Sequence, residues 1–150
     1  MQIERFIADV DAQQKRMNAL YHKAAVRLGL SDSAMWVLYE LTRREDGCTQ
    51  GDLCRQCCFP KQTIHSTVAG FVRDGIATLE AADGRRGKKI VLTQKGWELA
   101  ERTTQAIFSA EKRAFAAVDA AALQTYLQIG EELLSNLVAQ LNALSGEENE

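Results

Sequence analysis

The chain has a single proline, two histidines and no long apolar run, and its four cysteines all fall between residues 48 and 58. Each scarcity excludes something. A bilayer-crossing helix needs roughly 18 or more consecutive apolar residues, and no stretch of this sequence comes near that. The opening "MQIERFIADVD" carries acids and lacks the basic then apolar run of a secretory signal, so the sequence predicts a cytoplasmic protein without a membrane partner. Cysteines confined to one short segment do not make the spread framework of a disulfide-stapled domain, and reduced thiols are expected. One proline, Pro60, leaves long helices with few forced breaks. There is no P-loop, no paired-glycine phosphate loop after a strand, no zinc-hydrolase pair and no Ser/His/Asp arrangement. An enzyme is therefore not expected, nor a cofactor.

What is present is ordinary in amount and uneven in placement. With 150 residues, 46% hydrophobic and 25% charged, the chain can bury a sizeable core in one domain with helical extensions. The formal net charge is −2, yet four of the five residues from Arg85 to Lys89 are basic. The segment from Pro60 to Lys89 is basic, whereas Ala121 to Glu150 holds five Glu and no Lys or Arg. One part of the molecule would welcome a polyanion and another would repel it.

Apolar residues at three- and four-residue steps (Ile3, Phe6, Ile7, Val10, Met17, Leu20, Tyr21, Ala24, Leu28) predict a first helix ended by Gly29. A second follows Ser31, Asp32 and Ser33, any of which can cap it, with Ala34, Val37, Leu38 and Leu41 facing inward. "CTQGDLCRQC" opens a short third helix, with Thr49 as cap and Asp52 three residues on, the spacing of a capping box. Pro60 starts a fourth helix and Gly75 stops it, so the two short helices and their link make a helix-turn-helix. "IATLEA" and "KKIVL" then read as strands joined by the turn chemistry of Asp83, Gly84 and Gly87, a two-stranded hairpin with a basic tip. Thr93 caps a fifth helix expected to run to about Val118, and Asp119 caps the last.

In that last helix Leu123, Leu127, Gly130, Leu134, Leu137, Leu141 and Leu144 alternate steps of four and three, a heptad seam. A monomer can bury such a stripe on its own first helix. Two long terminal helices flanking a small core more naturally build a dimer. Ile3, Phe6, Leu127, Leu134, Leu137, Leu141 and Leu144 are the expected dimerisation residues.

At about 100° per residue, Ile64, Val68 and Phe71 share an arc of about 60° and anchor the fourth helix. Opposite them lie Gln62, Ser66, Ala69 and Arg73, flanked by Thr63 and His65, with Lys61 in the first turn and no acid before Asp74. A solvated helix face usually mixes Glu with Lys; this one does not. Gln can bond bidentately to adenine, Ser and Thr bond several base edges, and Ala can meet a thymine methyl. Beside it, Arg85 and Arg86 suit a narrow minor groove, Lys88 and Lys89 suit phosphates, and Asp83 can hold an arginine in place. Double-stranded DNA is the partner these residues predict. The competing readings are a basic solubilising turn, and a protein-binding winged helix that has lost DNA; the latter would put acids or large apolar residues on the Gln62/Ser66/Arg73 face.

With "PKQTIHSTVAGFVRDG" and "DGRRGKKIVLTQKG", the chain resembles the MarR (multiple antibiotic resistance regulator) family of winged helix-turn-helix transcription factors. The family pattern of Asp, any residue, Arg, then a Leu-Thr-x-x-Gly close is met by Asp83, Arg85, Leu92, Thr93 and Gly96. The resemblance implies a mainly α fold with a small β-hairpin, divided into an N-terminal dimerisation helix (1–30), a winged helix-turn-helix domain (31–100) and C-terminal dimerisation helices (101–150). It implies a homodimer on a pseudo-palindromic operator, with recognition helices in major grooves and wings in minor grooves. It also implies a repressor released by a small-molecule effector.

The cysteines open an alternative, a redox- or metal-responsive regulator of the same fold, with Cys54, Cys57 and Cys58 as sensor thiols. A metal site would need three or four ligands to converge, drawing on Cys48 and His65 as well. Core filling is the better reading of Cys57, since free cysteine behaves as a small hydrophobe, and Cys58 at the turn is the expected exposed thiol. His22 reads as structural or solvated. Trp36 and Tyr39 lie off the inward stripe of the second helix, where they either line an inducer pocket or pack on the first helix.

Overall fold

Seven helices and three short strands form among the described residues, which are 2–82, 84 and 87–145 of the computed structural model. Asp83, Arg85 and Arg86 lie outside the described residues. The chain divides into two units, Met1–Phe108 and Ser109–Glu150.

In the first unit, helix α1 (Ile3–Arg27) buries only Ala25 and leaves Ile3, Phe6, Ile7, Val10, Met17 and Leu20 exposed. Helix α2 (Asp32–Thr42) is capped by Ser31, whose hydroxyl accepts the Ala34 N–H at 3.1 Å. Of the three candidate caps, Ser31 therefore takes the role. Strand β1 (Cys48–Thr49) leads into α3 (Gln50–Cys57), and α4 (Lys61–Arg73) follows a turn through Cys58, which adopts a left-handed conformation at φ 54°. Strands β2 (Ala77–Ala81) and β3 (Lys88–Leu92) pair antiparallel, Ala77 opposite Leu92 and Ala81 opposite Lys88.

The expected two-stranded hairpin is a three-stranded sheet of order β1-β3-β2, with Cys48 opposite Ile90 and Thr49 opposite Lys89. Two residues are too few to show an alternating pattern, so β1 has no signature of its own. Behind the sheet, Val37, Leu38, Leu41, Cys48, Leu53, Ile64, Val68, Phe71, Ala77, Ile90, Leu92 and Ala100 form one apolar core.

The expected fifth helix, from Thr93 to about Val118, is two: α5 (Gln94–Arg102) and α6 (Thr104–Ala116). Thr103 breaks it, at φ −125° and ψ −86°. The hydroxyls of Thr103 and Thr104 donate back to the carbonyls of Leu99 and Ala100, at 2.6 and 3.4 Å. Such back-bonding by successive β-branched residues competes with the helical ladder and bends it. In the second unit, Asp119 caps α7 (Ala120–Ser145) as expected, accepting the Ala122 N–H at 3.0 Å. Leu127, Leu134, Leu137, Leu141 and Leu144 are all exposed along it. No helix among the described residues is long and apolar enough to cross a membrane.

Candidate nucleic-acid interface

The helix pair α3–α4 is held at both ends of α3. At its start the capping box forms as predicted: the Thr49 hydroxyl accepts the Asp52 N–H at 3.2 Å, and the Asp52 carboxylate accepts the Thr49 N–H at 3.0 Å. At its end Cys58 turns the chain, its N–H donating to the Cys54 carbonyl at 3.2 Å. Helix α4 is pinned by buried Ile64, Val68 and Phe71. Thr67 adds a hydroxyl contact to Ser33 on α2 at 3.0 Å.

With that face inward, Lys61, Gln62, His65, Ser66, Ala69 and Arg73 are exposed and Thr63 is half-buried. Two clefts flank His65. One, of about 480 Å³, is lined by Gln50, Lys61, Gln62 and His65. The other, of about 820 Å³, runs between α3, α4 and the hairpin; Gln50, Arg55, His65, Arg73 and Lys88 rim it above Val68 and Ile90. Donors from two helices and the sheet thus share one side of the unit, around Gln50 and His65.

The basic residues expected to act together are sorted by the pleat. Along β3, residues two apart share a face. Lys88 lies on the face of buried Ile90 and opens onto the large cleft. Lys89 takes the other face, half-buried between Thr49 and Glu80, its partners in the register. Arg73 sits twelve residues beyond Lys61, about 18 Å along the helix axis. Its Nε–H donates to the Asp74 carboxylate at 3.1 Å, which pushes the guanidinium further toward its charged form.

Gln50 and Arg55 were not anticipated, although Gln50 lines both clefts and Arg55 the larger. Their sequence signal is faint: a glutamine just inside a capped helix, and an arginine three residues after the capping aspartate. The latter spacing lets the two charges meet, and Arg55 Nη2 lies 2.5 Å from Asp52 Oδ1.

The thiols divide by burial. Cys48 is in the core and its thiol is pushed up to about 11 by burial. Cys57, half-buried against the core, is pushed up to about 12 by burial and then by the charge of Glu40. Cys54 is half-buried and Cys58 exposed, and all four are free. The thiolate is the reactive and metal-binding form, and burial disfavours it at both Cys48 and Cys57. Among the described residues no group of three or more His, Cys, Asp or Glu side chains is arranged to hold a metal ion.

Above the interface, aromatic rings join α1, α2 and α6. Tyr21 packs 4.9 Å from Trp36, Trp36 lies 5.6 Å from Tyr39, and Tyr39 lies 6.1 Å from Phe108. Trp36 therefore packs on α1, as one of its two readings had it, while Tyr39 packs on α6; both rings also wall a cavity of about 370 Å³ with Glu40, Arg43, Gln56, Cys57 and Phe59. His22 is exposed and paired, its Nδ1 2.9 Å from the Asp32 carboxylate.

A model of the MarR family matches residues 28–87, the stretch that runs from the end of α1 through both interface helices into the hairpin. Over that stretch the winged helix of this chain is similar to the MarR family. Solved MarR-like structures repeat the architecture beyond that stretch. A MarR-family transcriptional regulator from Silicibacter pomeroyi is 25% identical, with 85% of this chain and 86% of that chain covered and a TM-score of 0.67. Transcriptional regulator PA3341 is 28% identical, with 89% and 98% covered and a TM-score of 0.69. A MepR variant from S. aureus, bound to an oligodeoxyribonucleotide, is 18% identical over 96% and 99% of the two chains at a TM-score of 0.51, a likeness of fold. No curated protein matches the chain. The molecule thus has the mainly α, winged-helix fold of MarR transcriptional regulators.

Proposed function

We propose that this protein is a sequence-specific regulator of transcription that binds double-stranded DNA as a homodimer. The observation that carries the reading is the exposed, carboxylate-free face of α4, from Lys61 through Gln62, His65 and Ser66, set between two clefts rimmed by Gln50, Arg55 and Lys88. A helix of that width enters a major groove, and the hairpin beside it reaches the flanking backbone. Asp83, Arg85 and Arg86 complete the wing in sequence. The MepR variant solved with an oligodeoxyribonucleotide supports the same use of the fold.

The division into an N-terminal dimerisation helix, a DNA-binding centre and C-terminal dimerisation helices is part of this proposal. It is supported by rows of exposed apolar side chains on α1 and α7 that a single copy of neither helix buries on itself. A pseudo-palindromic operator follows from two-fold symmetry. In this reading the protein represses, and a small-molecule effector releases it. The cavity walled by Trp36, Tyr39 and Arg43 is the seat we assign to that effector.

Selection of bound sequences from random duplex DNA tests the proposal, followed by titration of the selected duplex from low to physiological salt. Binding should fall steeply as salt rises, because each neutralised phosphate releases counterions. Absence of binding at every ionic strength, or affinity indifferent to salt, would reject it.

A further inference from the structure

Among the charges around the large cleft, Arg55 differs from the others in how it is held. Its side chain is 70% exposed while that of Asp52 is only 12% exposed, and the two meet as an ion pair three residues apart. Asp52 is itself fixed, because its other oxygen accepts both the backbone N–H and the hydroxyl of Thr49, at 3.0 and 2.9 Å. The guanidinium lies back over the first turn of α3, with Nη1 3.6 Å from where a Cβ on Gly51 would stand. It lines the large cleft together with Gln50, which also lines the smaller one.

We propose that Arg55 anchors a phosphate of the DNA backbone and that Asp52 is the residue that positions it; this inference rests on the function proposed above. In a helix-turn-helix the first helix crosses the backbone while the second enters the groove. A guanidinium fork has five N–H donors. The Asp52 contact engages one arm, and the rest of the fork can meet a phosphate in the two-pronged geometry that arginine favours. Without the carboxylate, an exposed arginine would spread over many rotamers, and ordering it on the backbone would offset much of the contact. Arg73 is held differently, paired to Asp74 at the far end of α4.

This arrangement makes an unusual prediction of sign. Removing an acid from a DNA-binding surface ordinarily strengthens binding. Here Asp52→Asn should weaken it, because the arginine loses its hold while the neutral amide can still cap α3.

The measurement is salt-resolved binding of a duplex selected from random sequence by wild type, Arg55→Gln, Asp52→Asn and the double variant, with thermal unfolding of each. Arg55→Gln should bind roughly tenfold more weakly, with a log affinity against log salt slope shallower by about 1. Asp52→Asn should also bind more weakly, and should cost nothing further in the Arg55→Gln background. Arg55→Gln matching wild type in affinity and slope would overturn the inference, as would Asp52→Asn binding more tightly than wild type. Should Asp52→Asn unfold, the Arg55→Gln comparison decides alone. A wild type that binds no duplex overturns the proposed function itself; a wild type that binds with Arg55 indifferent overturns only this.

Discussion

The backbone carbonyl of Ile76 occupies the space where a side chain on residue 96 would begin, so Gly96 closes directly onto the base of the hairpin. The same carbonyl accepts the Thr93 N–H at 3.0 Å, and the Thr93 hydroxyl reaches the Gly75 carbonyl at 2.6 Å while accepting the Gly96 N–H at 3.1 Å. The Thr-x-x-Gly spacing therefore ties the end of α4, both long strands and the start of α5 into one knot. It is a positional constraint on the hairpin rather than a contact with a ligand.

Gly96→Ala should accordingly destabilise the fold. A methyl driven against a backbone carbonyl forces the main chain apart, at a cost of about 1–3 kcal/mol or more. Urea denaturation should show a lower midpoint with an unchanged slope. A variant within a few tenths of a kcal/mol of wild type would mean that the knot opens without penalty.

The thiols should react in order of exposure. At pH 8 a maleimide should label Cys58 first and Cys48 only when the protein unfolds, because burial pushes the Cys48 thiol up to about 11. The native state therefore holds that proton more tightly than the unfolded chain. Stability from this group is complete below the ordinary thiol value and declines as pH rises from about 9 toward about 11. Cys48→Ala should show a shallower alkaline loss than wild type, which isolates the thiol from tyrosines and lysines titrating in the same range. Identical alkaline profiles would place Cys48 outside the core.

Base reading and phosphate binding should separate by residue. Gln62→Ala should cost about 1–3 kcal/mol and relax preference at one position of the selected duplex. Lys88→Ala should weaken all duplexes alike and reduce the salt slope by about 1. Lys89→Ala should change that slope less, since Lys89 lies on the opposite sheet face from Lys88, across from Glu80. Equal slopes for the two lysine variants would contradict this sorting by the pleat.

Association should depend on the leucine row of α7. Wild type should sediment as a dimer, and Leu134→Glu with Leu137→Glu should shift it to monomer, since both side chains are exposed in a single copy. Operator affinity should fall with it, because two half-sites would no longer be joined. A monomeric wild type would remove the dimer from the proposed function.

Much of the fold was legible because it is written in local chemistry. Thr49 and Asp52 announce the start of α3, Gly75 the end of α4 and Asp119 the start of α7, each through a cap whose partners lie within a few residues. Ile64, Val68 and Phe71 were recognisable as the anchored side of α4 by spacing alone. The break at Thr103 was not, because helical periodicity continues across it and only the paired threonine hydroxyls reveal the bend. Strand β1 was invisible since its bonding is entirely to β3, some forty residues away in sequence.

The interface divides in the same manner. Residue types and helical spacing on their own determined which side of α4 is outward, that it is free of acid as far as Arg73, and that positive charge gathers in the hairpin. Whether those charges act on one surface was decided only when the chain folded. The pleat of β3 sends Lys88 and Lys89 to opposite faces, and the packing of α3 against α4 brings Gln50 and Arg55 into one cleft with His65. Helix caps and faces are set within a turn or two of the chain, whereas a cleft is made by elements that meet across it. No local pattern can record such a meeting before the core has placed them.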